Sequence, residues 1–159
     1  MKKVVKKIVE NTIQSHEWYI EPFLGDCSTF SIIKHNKKVG CDINKDVTTF
    51  WKNVQNNSLY NERKDFEGIK DSLFINCDYK KLILTESSFI FCNVPINDKF
   101  NHKKFWDWCE KQVEDGHIVL VKNFDAPLNY VCVWDKSDNK LFVHISQLPY
   151  FNLNVLKTM

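Results

Sequence analysis

The chain has 159 residues, 43% of them hydrophobic and 26% charged. These proportions are ordinary for a soluble globular protein, and the length suits one domain with its own core rather than two domains. Lys+Arg 22 against Asp+Glu 20 leave a net charge of +2, which neither demands nor excludes a nucleic-acid partner, because local patches outweigh the total. No apolar run is long enough to span a bilayer, and lysines interrupt any signal-peptide core at the start, so no membrane partner is expected.

The first segment, "MKKVVKKIVENTI", places Val5, Ile8, Val9 and Ile13 near helical spacing. Lysines fall largely on the other side, so an amphipathic helix is expected within residues 1–15. "WYIEPF" (18–23) reads as a short buried strand, followed by a turn at Gly25 and a helix near 27–36. "KKVGCDI" (37–43) reads as a second strand, and 46–55, with Val47, Phe50, Trp51 and Val54, as a helix. A polar connector, "NNSLYNERKDFEG", covers 56–68, and "SLFINCDY" (72–79) and "SFIFCNV" (88–94) look like two more strands. "NHKKFWDWCEKQVED" (101–115) is an amphipathic helix with Gly116 as its C-cap, and "HIVLVKNF" (117–124) is a continuous apolar strand of the parallel, buried kind. "YVCVWDKSDNKLFVHIS" then reads as a hairpin turning at Lys-Ser-Asp-Asn. A β-α alternation that ends in an antiparallel hairpin predicts an α/β, doubly wound sheet, mostly parallel, within one domain over 1–159.

The six cysteines, Cys27, Cys41, Cys77, Cys92, Cys109 and Cys132, contain no C-x-x-C. Four sit in strand-like runs, where a thiol behaves as a small hydrophobe. A reduced, intracellular protein with no metal site is the expectation. The five histidines are scattered and read as surface or strand residues.

In such sheets ligands bind beyond the carboxyl ends of the strands. The residues expected there are Gly25, Asp26 and Cys27 after the first strand, Asp42 after the second, and Asp78 and Tyr79 after the third. Asn93 and Pro95 follow the fourth, and Lys122 and Asn123 the fifth. Asp42 lies about 20 residues beyond the first turn, where a ribose-binding carboxylate belongs. There is no G-x-G-x-x-G, however, so Asp42 reads equally well as a turn carboxylate before Asn44, and Asp78 as an ordinary strand-end residue.

Taken in order, "WYIEPFLGDCSTF", "CDINKDVTTFWKNVQN", "FINCDYKKL" and "FIFCNVPI" resemble the motifs of Dam-type DNA adenine-N6 methyltransferases, above all the short phage, bacterial and large-virus members. The likeness extends through "FNHKKFWDWCEKQVEDGHIVLVKNFDAPLNYVCVWDKSDNKLFV", so it covers most of residues 17–143. It implies a Rossmann-like class I methyltransferase sheet, S-adenosylmethionine as cofactor and DNA as partner. Phe23 and Gly25 would lie under the methionine part of the cofactor, Asp42 would hold its ribose and Asp78 its adenine amine. Asn93 would stand at the catalytic Asp of D-P-P-Y, followed by Val94, Pro95 and Ile96. In the family mechanism the target adenine is flipped out, stacks on the aromatic residue of that motif, and is held through its N6 amine.

The departures from the family are specific. Ile96 offers no ring, and loss of a base–aromatic stack costs roughly 1–3 kcal/mol. Val94 lacks the fixed φ of the family's first proline, whereas Asn93 is tolerable because related amino-methyltransferases use Asn there. Asp26 and Cys27 replace glycines and would put a side chain and a negative charge where backbone approaches the cofactor. The family's G-G-K segment has no counterpart, and the connector at 56–68 is too short for a target-recognition insert. Together these favour a degenerate enzyme with weak or lost cofactor binding, kept as a binding or assembly module, with a protein partner or as a homodimer. A minimal active enzyme that borrows DNA recognition is the alternative. A protein binding nucleic acid through Lys2, Lys3, Lys6 and Lys7 is a third reading.

Overall fold

The computed structural model describes residues 1–57 and 64–156. Helix α1 spans Lys2–Glu10, strand β1 Trp18–Glu21, β2 Lys38–Asp42 and α2 Lys45–Asn56. Strands β3 (Leu73–Asn76) and β4 (Ser88–Asn93) follow, then α3 (His102–Glu114). The last three strands are β5 (Ile118–Asn123), β6 (Tyr130–Lys136) and β7 (Asn139–His144). All seven form one sheet in the order β3-β2-β1-β4-β5-β7-β6. Pairings from β3 through β5 are parallel, and β7 is antiparallel to both β5 and β6. The mixed α/β sheet with an antiparallel end agrees with the sequence expectation.

Alternation along the central strands supplies two cores, because successive side chains leave a strand on opposite faces. Phe89 and Phe91 of β4, Ile118 and Leu120 of β5, and Leu141 and Val143 of β7 join one cluster with Val4, Val5, Ile8 and Val9 of α1. Ile90 and Cys92, Val119 and Val121, and Phe142 join the other, against Phe105, Trp106 and Cys109 of α3. Strands buried on both faces are the reason "HIVLVKNF" carries no polar alternation. Where β7 stops, the amide of Gln147 extends the ladder on β5. Its Oε1 accepts from the Val119 N–H (3.0 Å) and its Nε2 donates to the His117 carbonyl (2.5 Å).

The helix ends follow their sequence signals. Asn44 and Asn101 cap α2 and α3, accepting from the N–H of Asp46 and Lys104. The C-cap of α3 is Asp115, and Gly116 stands one position later at φ +88. There the His117 N–H reaches the Gln112 carbonyl and the Gly116 N–H that of Val113, a Schellman ending in which glycine serves the left-handed position. The hairpin turns on Ser137 and Asp138, both at positive φ, as a two-residue type I′ turn requires.

Three expectations need correction. Only a 3-10 turn, Phe30–Ile32, occupies the stretch read as a helix near 27–36, because Cys27 adopts φ 59 and breaks the helical path before it starts. Ile13 lies beyond α1 and is 73% exposed. β3 is shorter than 72–79, and Cys77 falls after it. It is one of the two edge strands of the sheet, with only Phe74 buried. Residues 58–63 of the connector lie outside the described residues. Its end, at Gly68, packs so close to Ser31 that a Cβ there would sit 1.8 Å from the Ser31 carbonyl oxygen.

Candidate functional site

A cavity of about 630 Å³ opens beyond the carboxyl ends of the parallel strands, lined by Phe23, Gly25, Asp42, Asp78, Asn93 and Pro95 among others. The fold thus brings together Phe23, Gly25, Asp42, Asp78, Asn93 and Pro95, with Val94 and Ile96 of the same loop also in the wall. Tyr79 and Lys122 line it too. Asp26, Cys27 and Asn123, also expected near the strand ends, are absent from the wall.

The first turn is held from two sides. The Gly25 N–H donates to Asp42 Oδ2 (3.1 Å), and the Trp51 indole Nε1–H donates to the Gly25 carbonyl (2.9 Å). Gly25 takes φ +50, and nothing lies within 4 Å of where its Cβ would be. Its backbone therefore faces open space, as close approach of a ligand requires. The other oxygen of Asp42 accepts from the Asn44 N–H (2.9 Å), so this carboxylate is the turn brace that the sequence allowed. Each carboxylate oxygen keeps a further lone pair for a hydroxyl in the cavity.

The obstruction expected from Asp26 and Cys27 does not materialise. Asp26 is exposed, accepts from the Ser28 N–H (3.0 Å) and lines an adjoining depression with Gly25, Asp46, Val47, Phe50 and Trp51. Cys27 is buried in the core, where desolvation pushes its thiol far above the ordinary value.

The opposite part of the cavity rests on aromatic rings. Phe23 meets Tyr79 at 5.3 Å and Phe100 at 5.6 Å between centroids, and all three rings line the cavity. Asp78 caps the 3-10 turn Tyr79–Lys81, its Oδ1 accepting from the Lys80 N–H (3.0 Å). Its Oδ2 lies 3.1 Å from Lys80 Nζ, so half of its charge is answered within the protein.

Asn93 ends β4 in register with Lys122 of β5. The Val94 N–H donates to the Lys122 carbonyl (3.3 Å), and Val94 is buried. Packing and a sheet bond therefore direct this backbone where the family has a proline. Ile96, by contrast, is 71% exposed at the rim and supplies no ring.

Behind the first turn lies a buried polar group. The Tyr19 hydroxyl donates to Glu21 Oε1 (2.6 Å), and Lys38 Nζ donates to the carbonyls of Phe30 (2.8 Å) and Ile33 (3.0 Å). Burial raises the Glu21 carboxyl to about 8 and lowers the Lys38 ammonium to about 8. Neither residue lines the cavity.

Reading the sequence alone did not single out Trp51, Phe100, Lys99 or Lys104 for the site. Trp51 looked like one more apolar position of α2; its indole donor could have been found only by knowing that α2 passes the Gly25 turn. Trp51→Phe is expected to weaken binding of an adenosine ligand with a methionine arm by about threefold to tenfold, the worth of one hydrogen bond. Adenosine lacks that arm and should bind unchanged; titration calorimetry with both ligands is the check.

A parallel sheet in this order, ending in an antiparallel pair and carrying a cleft at its carboxyl ends, defines a methyltransferase-like, Rossmann-like protein. A solved structure described as the putative methyltransferase YhhF from Escherichia coli superposes with a TM-score of 0.58, covering 90% of this chain and 85% of that one. At 10% sequence identity the likeness speaks for the fold. The D12 class N6 adenine-specific DNA methyltransferase family matches residues 2–104, and the chain belongs to that family. No curated protein matches it in sequence. Among the described residues there is no cluster of three metal-ligating side chains, and no helix is long and apolar enough to cross a membrane.

Proposed function

We propose that this chain is a methyltransferase-fold binding module: it keeps a site for S-adenosylmethionine but is impaired in methyl transfer to adenine. The observation that carries this reading is the cleft itself. It is lined by Phe23, Gly25, Asp42 and Asp78 and left clear by Asp26 and Cys27, whereas the rim position of the stacking ring is Ile96. Bound there, the cofactor would supply an activated methyl group. Asp42 would hold its ribose hydroxyls, Asp78 its adenine amine, and the Phe23 face with the Gly25 backbone its methionine part. Asn93 and Pro95 would then face the methyl acceptor. The backbone at Val94 stays tied to β5, so the larger defect is the missing ring, which a flipped base needs to dwell in place.

In this reading residues 1–159 form one domain inside the cell, and DNA contact, where needed, comes with a protein partner or a second copy. The clear cofactor half also favours one rival, a minimal active enzyme acting through Asn93. The two part in a single experiment with S-adenosylmethionine and adenine-containing DNA. The module should give micromolar binding by calorimetry with only trace methyl transfer, and Val94→Pro/Ile96→Tyr should raise that trace by about tenfold to a hundredfold. Transfer well above a trace by the natural chain, abolished by Asn93→Ala, would establish the enzyme instead. Absence of binding at millimolar ligand would sink both.

A further inference from the structure

The cleft is lined by charges of opposite sign on its two sides. Asp42 and Asp78 lie at the ends of β2 and β3, and Asp78 is already matched by Lys80. On the other side three lysines arrive from separate segments: Lys99 from the loop after β4, Lys104 from the first turn of α3, and Lys122 from the end of β5. None of the three ammonium groups has an ion pair or side-chain hydrogen bond among the described residues, whereas Lys103 and Lys111 on the outer surface of α3 pair with Asp107 and Asp115. Lys122 is half-buried and stands in register beside Asn93.

Three unpaired cations converging on one cavity repel one another and gain from a shared anion, all the more where one is partly desolvated. A neutral base at this side would want the ring that Ile96 does not provide. A phosphate wants lysines, which bind it as point charges.

We propose that the β4–β5–α3 side of the cleft is a phosphate site. Its ligand is then an adenosine nucleotide, with the nucleoside on the Phe23–Asp42 side and the phosphate on Lys99, Lys104 and Lys122. This rests on the reading that the cleft keeps an adenosine site, and it adds a second ligand that competes with S-adenosylmethionine for that site. The shared chemistry is a phosphorylated adenosine, either free or as one unit of a strand.

The test compares adenosine, AMP, ADP and S-adenosylhomocysteine by calorimetry, with a short single-stranded oligoadenylate as competitor. ADP is expected to bind at least about tenfold more tightly than adenosine, with the advantage shrinking between about 50 and 200 mM salt. Lys122→Gln and, separately, Lys99→Gln/Lys104→Gln should remove most of that advantage while adenosine affinity stays put. Displacement of ADP by the oligonucleotide would place the phosphate on a strand; failure to displace it would place it on a free nucleotide. Either result supports the site.

Equal affinity for adenosine and ADP would overturn the proposal and leave cofactor binding untouched. So would S-adenosylhomocysteine gaining as much from the lysines as ADP does, since their anion would then be the amino-acid carboxylate. An ADP advantage that survives both sets of substitutions would overturn it as well. No binding by any adenosine ligand would overturn this proposal and the module reading together.

Discussion

Asp42→Ala is expected to lower the affinity for S-adenosylhomocysteine by about a hundredfold, the largest loss of any single substitution in the cleft. The carboxylate would lose two charge-assisted bonds to the ribose hydroxyls, together on the order of 3 kcal/mol. It would also release the Gly25 N–H, which it holds at 3.1 Å, and with it the turn on which the rest of the ligand lies. Asp42→Asn keeps one acceptor oxygen and should lose about tenfold. Calorimetry well below the melting temperature separates this from a loss of fold, and adenosine should suffer as much as the full ligand because both carry the ribose. A change under threefold in Asp42→Ala would mean that the carboxylate is only the turn brace its bonds to Gly25 and Asn44 describe.

The second large effect concerns stability and pH. Burial raises the Glu21 carboxyl from an ordinary 4.5 to about 8, so the folded chain holds a proton there that the unfolded chain releases. Its contribution to stability is therefore full below about pH 4.5 and is lost as pH rises through about 8. At about 1.4 kcal/mol per pH unit of separation, the loss amounts to several kcal/mol. Glu21→Gln mimics the protonated form and keeps an oxygen for the Tyr19 hydroxyl, so the two proteins should unfold at similar denaturant near pH 4.5. By pH 8 the Gln variant should be the more stable by on the order of a few kcal/mol.

Lys38 behaves in the opposite sense. Its folded value is lowered to about 8, so its contribution is complete only above about pH 10.5 and is lost as pH falls through 8. Lys38 and Glu21 feel each other's charge, so the difference between the two curves reports Glu21 together with its coupling to Lys38. Parallel curves from pH 4.5 to 8 would mean that water or Lys38 keeps this carboxylate charged.

The fold was legible because its signals were local and redundant. Continuous apolar runs in β4 and β5, asparagine caps on α2 and α3, and a turn at Ser137–Asp138 each name their element without knowledge of neighbours. The helix read near 27–36 failed for a reason invisible to periodicity: a positive φ at Cys27. The candidate site residues came together because the strand-end rule needs only the strands. Asp26 was misjudged because a turn's residue types do not say which way each side chain leaves it. Trp51 and Lys104 were missed because both sit on helices, where an apolar or charged residue has an adequate local explanation. Their meaning depends on what α2 and α3 pass in space.

The strand order also governs how this chain can be made. β1, at 18–21, is flanked by β2 and by β4, and β4 begins only at Ser88. β7 enters between β5 and β6, both of which precede it. A growing chain can therefore pair β1, β2 and β3 early, but the middle of its sheet stays open until β4 has emerged, and β5 waits for β7. Pairings across such long separations are slow to form. During that wait Phe89, Phe91, Leu120 and Val121 are uncovered strand surface, a template for other chains. Chains cut short before Asn139 should accordingly aggregate during translation rather than accumulate as smaller folded proteins.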